Sequence, residues 1–92
     1  MLTALLLINT KSGRETHVLG FLKVLSGVEY AYPVYGTFDI IAKIEAESRE
    51  ELQKIIDSQI RKSKEIKSSI ILIVVPEKAN VVVLRENPRI LA

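Results

Sequence analysis

Two apolar runs, one near each end of the chain, constrain the fold more than any other feature of the sequence. Leu2 to Ile8 and Ile70 to Val75 contain one polar side chain between them, that of Thr3. Their length and lack of alternation are typical of strands that are buried on both faces, although periodicity alone does not separate such a strand from a buried helix. The polar stretch Asn9 to Gly13 ends the first run and favours a strand.

Two amphipathic helices are predicted between these runs. Ser12 to Glu15 and Ser48 to Glu51 both have the Ser-x-x-Glu form of a capping box. Gly27 is placed to end the first helix as a left-handed C-terminal cap. Apolar residues at helical spacing form the buried stripes of the two helices: Val18, Leu19, Phe21, Leu22 and Leu25 in the first, and Leu52, Ile55, Ile56 and Ile60 in the second.

Two further strands are predicted between the helices. Val28 to Tyr35 alternates in side-chain direction, and Pro33 lacks a backbone N–H, so this strand is expected at a sheet edge or at a bulge. Gly36 is expected to make the turn, with a positive φ angle. Phe38 to Glu45 is the next strand and pairs with the first as an antiparallel hairpin. The last strand is predicted from Ile66 to Val75.

The resulting order is β-α-β-β-α-β, which predicts an α+β fold of the ferredoxin-like type with an antiparallel sheet. The expected strand order is 4-1-3-2, which puts the proline-containing second strand at an edge. Two helices cover only one face of a four-stranded sheet. The first and fourth strands are apolar on both sides, so we expect a second copy to cover the other face, sheet against sheet, as a dimeric α+β barrel.

Composition limits the classes of protein. Residues 1–76 are predicted to form one domain and residues 77–92 a C-terminal extension, in which Val81 to Leu84 suit a short fifth strand. The chain has no cysteine, which excludes a thiolate metal site and a cysteine nucleophile, and a single histidine, His17, does not predict a metal site. It also has no glycine-rich phosphate loop and no triad-type arrangement, so no cofactor or catalytic residue is expected. A net charge of +2 is too small to predict nucleic-acid binding. With no signal peptide or membrane-length apolar run evident, we expect a cytoplasmic protein.

The hairpin carries a family resemblance. Gly27-Val28 and the stretch Val34 to Ile44, with its Gly36-x-Phe38-Asp39 motif, resemble the effector-binding RAM domain of the Lrp/AsnC (leucine-responsive regulatory protein) family. Ile66 to Ile71 is similar to the family's entry into the last strand, and the resemblance covers residues 2–76. It implies a non-enzymatic module of transcription regulation that binds amino acids and forms dimers, commonly joined as tetramers of dimers.

The resemblance also implies where the effector lies: between dimers, near the glycine–aspartate turn and the start of the last strand. A carboxylate beside that turn can hold an ammonium group, and the turn's N–H groups can hold a carboxylate. Asp39 can equally serve only to hydrogen-bond the turn, Phe38 is expected in the core ahead of a ligand contact, and the serines can simply be solvated. The predicted effector-binding residues are Gly36, Thr37, Phe38, Asp39, Ser68 and Ser69.

Two departures from the family pattern bear on function. Ile71 stands where the family has a second hydroxyl residue, so one ligand hydrogen bond is expected to be missing. The first strand begins at once, so we expect a stand-alone RAM domain without the DNA-binding helix-turn-helix. Its expected partners are further copies of itself, an amino-acid effector and full-length Lrp/AsnC regulators, with no direct contact to nucleic acid or membrane. The alternatives are a cofactor-free enzyme of the dimeric barrel type and a purely structural oligomer.

Overall fold

The structure is a computed structural model that describes residues 1–75. The extension at residues 77–92, with its predicted fifth strand, lies outside the described residues. The second helix, over Arg49–Ile55, continues directly into a π-helical turn, Ile56–Ile60. The elements follow in the predicted order: β1 (Leu2–Thr10), α1 (Glu15–Lys23), β2 (Val28–Pro33), β3 (Ile40–Ala46), α2 (Arg49–Ile55) and β4 (Ile66–Ile73).

The four strands form one antiparallel sheet in the order β2-β3-β1-β4. This confirms the ferredoxin-like topology and places β1 and β3 in the centre. In the register of the sheet, Leu6 of β1 lies opposite Ala42 on one side and Ile71 on the other. Pro33 ends β2, which is an edge strand, as its missing N–H predicts.

Both helices cover one face of the sheet, and the hydrophobic core lies between them and it. Alternate residues of the central strands point to this face, because successive side chains of a strand point to opposite sides. The predicted stripe of α2 is confirmed, with Ile55 packed at its margin. The largest fully buried side chains are Leu6, Ile8, Val18, Leu22, Ile40, Ile44, Ile56 and Ile60.

The opposite face, which we call the outer face, is also largely apolar. The register places Leu5 and Leu7 of β1 on it, opposite Leu72 and Ile70 of β4. Ile70 is 46% exposed and Leu72 47% exposed, and Tyr32, further across the sheet, is 57% exposed. No element within residues 1–75 covers this face. Its composition agrees with the prediction that the strands are apolar on both sides, and the dimeric barrel stays a prediction.

The two ends of α1 differ from the prediction. The helix begins at Glu15, and Arg14 at its N-cap makes no side-chain capping bond. The prediction of a capping box that starts at Ser12 is therefore wrong. The Arg14 N–H donates to the Lys11 carbonyl at 3.0 Å, and this turn delays the helix. The helix also ends early, at Lys23 with Val24 as its cap. Gly27 has a positive φ of 93°, but there it leads the chain into β2.

The start of α2 agrees with the prediction. Ser48 is the N-cap, and its Oγ accepts a hydrogen bond from the Glu51 N–H at 3.2 Å. The π-helical turn that follows was not predicted. It is closed by the bond from the Arg61 N–H to the Ile56 carbonyl, at 2.8 Å. Ile56 and Ile60 are both buried, so the wider turn keeps both side chains on the core. No helix within residues 1–75 is long and apolar enough to cross a membrane.

Candidate functional site

The predicted site is centred on the connection between β2 and β3, residues 34–39, which we call the β2–β3 loop. The strands were expected to run to Tyr35 and from Phe38, but β2 ends at Pro33 and β3 begins at Ile40. They are shorter because the Val34 N–H donates to the Asp39 carbonyl at 2.9 Å and closes a six-residue loop. The predicted hairpin therefore has a longer connection than a single glycine turn.

Gly36 lies within this loop and has a φ of 117°, as predicted for a turn glycine. A Cβ atom built there would meet no other atom within 4 Å. Gly36 and Thr37 are exposed, so their backbone is open to solvent. Phe38 is half-buried and does not belong to the side chains packed on the core. The prediction that Phe38 lies in the core is therefore wrong, because β3 starts only after the loop ends.

Asp39 attaches the loop to the end of the central strand. Its carboxylate Oδ2 accepts the Thr10 N–H at 2.9 Å and the Thr10 hydroxyl at 3.3 Å. The Asp39 N–H donates to the Ile8 carbonyl at 2.9 Å. The structural role that the sequence left open for Asp39 is therefore present, but its partner is the end of β1 rather than the Gly36 turn. Within residues 1–75, no hydrogen bond engages the other carboxylate oxygen, Oδ1.

Ser68 and Ser69 lie on the other side of the same strand end. In the register of β1 and β4, Ser69 is opposite Ile8 and Ser68 is opposite Asn9. The Asn9 Nδ2 donates to the Ser68 Oγ at 3.5 Å, a long contact on the exposed side. Ser69 is half-buried and Ser68 exposed, and as strand neighbours they point to opposite faces. Only one of the two serines can therefore share a face with a given ligand.

Ile71, which replaces the family's second hydroxyl residue, packs against the core. It shares a face with Ser69, two residues before it on the strand. The structure thus gathers the predicted residues around the C-terminal end of β1, with the loop on one side and the two serines on the other. A cavity of about 400 Å³ beside the loop is lined by Pro33, Val34 and Tyr35, and none of the predicted site residues lines it.

A group of ionic side chains next to this strand end was not found from the sequence. The Lys11 N–H donates to the Glu65 carbonyl at 2.9 Å, and the Glu65 carboxylate contacts Arg14 and His17. Hydrogen bonding with His17 and then with Arg14 lowers the pKa of Glu65 below its usual value. Glu65 lies 51 residues beyond Arg14 in the chain, so no local pattern could have signalled the pair.

A second ionic group lies on the outer face. The Lys43 ammonium is 3.2 Å from the Glu29 carboxylate and 3.7 Å from that of Glu45. Hydrogen bonding with Glu29 raises the pKa of Lys43. This face therefore carries both signs of charge beside its apolar residues. Within residues 1–75, no group of three or more histidine, cysteine or acidic side chains could hold a metal ion.

Comparison with known proteins gives a consistent result. The sequence profile described as the Lrp/AsnC ligand binding domain matches residues 3–81. The crystal structure of FFRP-DM1 is 36% identical, with a TM-score of 0.79 over 82% of this chain and 100% of that chain. The structure of AsnC from E. coli is 29% identical, with a TM-score of 0.76 over 80% of this chain and 50% of that chain. The chain thus spans about half the length of that regulator.

A more distant structure shares the fold. It is the transcriptional regulator NMB0573 from Neisseria meningitidis, in complex with L-Met, at 8% identity and a TM-score of 0.73 over 80% of this chain and 49% of that chain. A search of curated proteins finds no match. The profile match over most of the chain and the 36% identity to a structure covered in full are sufficient to assign a family. The chain belongs to the Lrp/AsnC family, to its ligand-binding domain.

Proposed function

We propose that this chain is a non-enzymatic regulatory module of the cytoplasm that binds an amino acid or a related small metabolite at a subunit interface. Membership of the ligand-binding domain family supports the regulatory role. The observation that carries the proposal is the state of Asp39, whose Oδ2 is held by Thr10 while no residue of 1–75 binds its Oδ1. The complex of the structurally similar Neisseria regulator with L-Met supports an amino acid as the ligand class.

The chemistry of the β2–β3 loop suits an α-amino acid. A free carboxylate oxygen accepts a charge-assisted hydrogen bond from an ammonium group. Successive backbone N–H groups in a turn offer a site for a carboxylate, and the exposed backbone at Gly36 and Thr37 can supply them. A ligand with both groups would be held at both ends. The hydroxyl of Ser68 or Ser69 would add one neutral hydrogen bond from across the strand end.

The proposed assembly rests on the apolar character of the outer face. Each Å² of apolar surface removed from water contributes roughly 25 cal/mol, which favours self-association of this face against the entropy cost of joining two copies. We propose that two copies pair through it and that the dimers join into a tetramer of dimers, with the ligand at the contact between dimers. A ligand that binds only the assembled form stabilises that form by its differential affinity. Full-length Lrp/AsnC regulators, which share this domain, are the proposed further partners.

The Thr10–Asp39 hydrogen bonds also favour a second candidate, an oligomer in which Asp39 is purely structural. The test is a thermal-shift screen of the twenty amino acids, with mass in solution followed by light scattering. Asp39→Asn retains an oxygen that accepts from Thr10 but lacks the charge that binds an ammonium group. Asp57→Asn is the matched control, because it neutralises an exposed carboxylate of the π-helical turn after α2, whose partners are Gln53 and Arg61 rather than any predicted site residue.

The expected result is a shift with one or a few amino acids in the wild type and in the Asp57 variant, and its loss in Asp39→Asn. If no amino acid changes either the melting temperature or the mass of the wild type, the structural oligomer is the better description. If Asp39→Asn responds as the wild type does, the effector function stands but the site is elsewhere.

A further inference from the structure

Thr10 is a buried polar residue at the end of the central strand β1, beyond the last residue that pairs with β3. The pairing of β1 with β3 ends at Ile8 and Ile40. Thr10, two residues further along, is only 6% exposed and is the one buried polar residue among residues 1–75. A buried N–H requires an acceptor. That of Thr10 finds it in the Asp39 Oδ2, so a carboxylate oxygen takes the place that a strand carbonyl has elsewhere in the ladder.

The neighbouring backbone keeps Thr10 in this position. The register of β1 with β4 shifts at this point: Asn9 pairs with Ser68, whereas Thr10 pairs with Ile66. Such bulges re-aim the residues around them. The next N–H, that of Lys11, donates to the Glu65 carbonyl at 2.9 Å. Thr10 is therefore held by β4 and by the segment before it while it binds Asp39 on its other side.

Two donors of Thr10 converge on one oxygen of Asp39. The N–H and the hydroxyl both bind Oδ2, at 2.9 and 3.3 Å. Two donors at one oxygen restrict rotation of the carboxylate more than either donor alone. A group that is already oriented loses less conformational entropy when a ligand binds.

We propose that Thr10 is a positioning residue of the amino-acid site, which orients the Asp39 carboxylate so that Oδ1 receives the ligand's ammonium group. This inference rests on the proposed function and adds a residue to it. It assigns the selection of the ammonium group to the pair Thr10–Asp39. Ligands that lack an α-amino group gain nothing from the orientation of Oδ1, so their binding does not depend on the Thr10 hydroxyl.

The test compares two variants against two ligands by titration calorimetry. Thr10→Val removes the hydroxyl but keeps the side-chain shape and the N–H bond to Asp39, and Thr10→Ser retains a hydroxyl. One ligand is the amino acid with the largest effect in the screen of twenty, and the other is the carboxylic acid that lacks only its α-amino group. Thr10→Val should weaken the amino acid by about fivefold, because one of the two donors that orient the carboxylate is lost. Its effect on the des-amino acid should be less than about twofold, and Thr10→Ser should bind both ligands as the wild type does.

The outcomes separate the two levels of the proposal. If Thr10→Val weakens both ligands equally, or if Thr10→Ser is as weak as Thr10→Val, Thr10 is merely structural and the inference is overturned while the proposed function stands. If the wild type itself binds none of the twenty amino acids, the proposed function fails, and the positioning role fails with it. A Thr10→Val protein that melts earlier but keeps its preference for the amino acid also overturns the positioning role.

Discussion

Gly27 and Gly36 offer a matched pair in which the same substitution has different structural consequences. Both residues have positive φ angles, 93° and 117°, so alanine is strained at either position. They differ in their surroundings. A Cβ at Gly27 would lie 3.2 Å from the Glu45 carbonyl oxygen and 3.2 Å from the Ile55 Cδ1, whereas a Cβ at Gly36 meets nothing within 4 Å.

The cost at Gly27 has two parts. The strain of a positive φ angle is about 1–2 kcal/mol, and overpacking adds about 1–3 kcal/mol. The Glu45 backbone cannot easily move away, because its N–H donates to the Gly27 carbonyl at 2.8 Å. Replacing glycine also reduces the conformational entropy of the unfolded chain, which offsets about 0.4–1 kcal/mol of this loss of stability. At the midpoints of these ranges, we expect Gly27→Ala to lower the free energy of unfolding by about 3 kcal/mol, and Gly36→Ala by about 1 kcal/mol, since no close contact adds to the strain there.

Urea unfolding followed by far-ultraviolet circular dichroism measures both values by linear extrapolation. All samples need one protein concentration, because any dimer adds a concentration-dependent term to the apparent stability. Equal losses for Gly27→Ala and Gly36→Ala would refute the reasoning, since the difference rests only on the two close contacts at Gly27. A larger loss at Gly36 would mean that the β2–β3 loop is more tightly packed than the structure shows.

Two further predictions concern the ionic group at Glu65 and the outer face. Hydrogen bonding with His17 and Arg14 lowers the pKa of Glu65 from 4.5, so its stabilisation is complete at neutral pH and is lost as the pH falls through the lowered pKa. The urea midpoints of wild type and Glu65→Gln should therefore differ at neutral pH and converge in acid; a gap that is independent of pH would contradict this. Ile70→Lys puts an unpaired charge on the outer face of each copy. Burying one such charge costs about 3 kcal/mol, so the two in a dimer would raise its dissociation constant by about ten-thousandfold. Light scattering should show a monomer for Ile70→Lys and the mass of the wild-type assembly for the control Gln53→Lys, on the exposed side of α2; two equal masses would place the interface elsewhere.

Much of the architecture was predictable because it depends on local patterns. The alternation in β3 and the stripe of α2 identify the buried face of each element, and both patterns hold in the structure. Ser48 starts α2 because a capping box involves residues only three apart. The same signal failed at Ser12, where a turn between Lys11 and Arg14 competes with the cap. Local capping preferences amount to only about 1 kcal/mol, so a neighbouring turn can override them.

The location of the candidate site could be predicted from the sequence, but its hydrogen bonds could not. The Gly36-x-Phe38-Asp39 motif identified the loop, and the register then brought Ser69 to the same end of the sheet. Thr10 gave no signal, since a threonine at the end of a strand is common. Its role arises from a hydrogen bond to Asp39, 29 residues away. The alternation of β3 predicts a core position for Phe38 only if it is extended to two residues before the strand begins at Ile40.

The amino-acid order alone was enough to specify the succession of elements, the apolar character of both sheet faces and the family resemblance. All three can be recognised from short-range periodicity and from a contiguous motif. The tertiary structure decided where each element ends, which oxygen of Asp39 is engaged, and that Arg14, His17 and Glu65 meet beside β1. These features depend on contacts between segments far apart in the chain. Such contacts form only when the sheet register is set, and no local pattern encodes them.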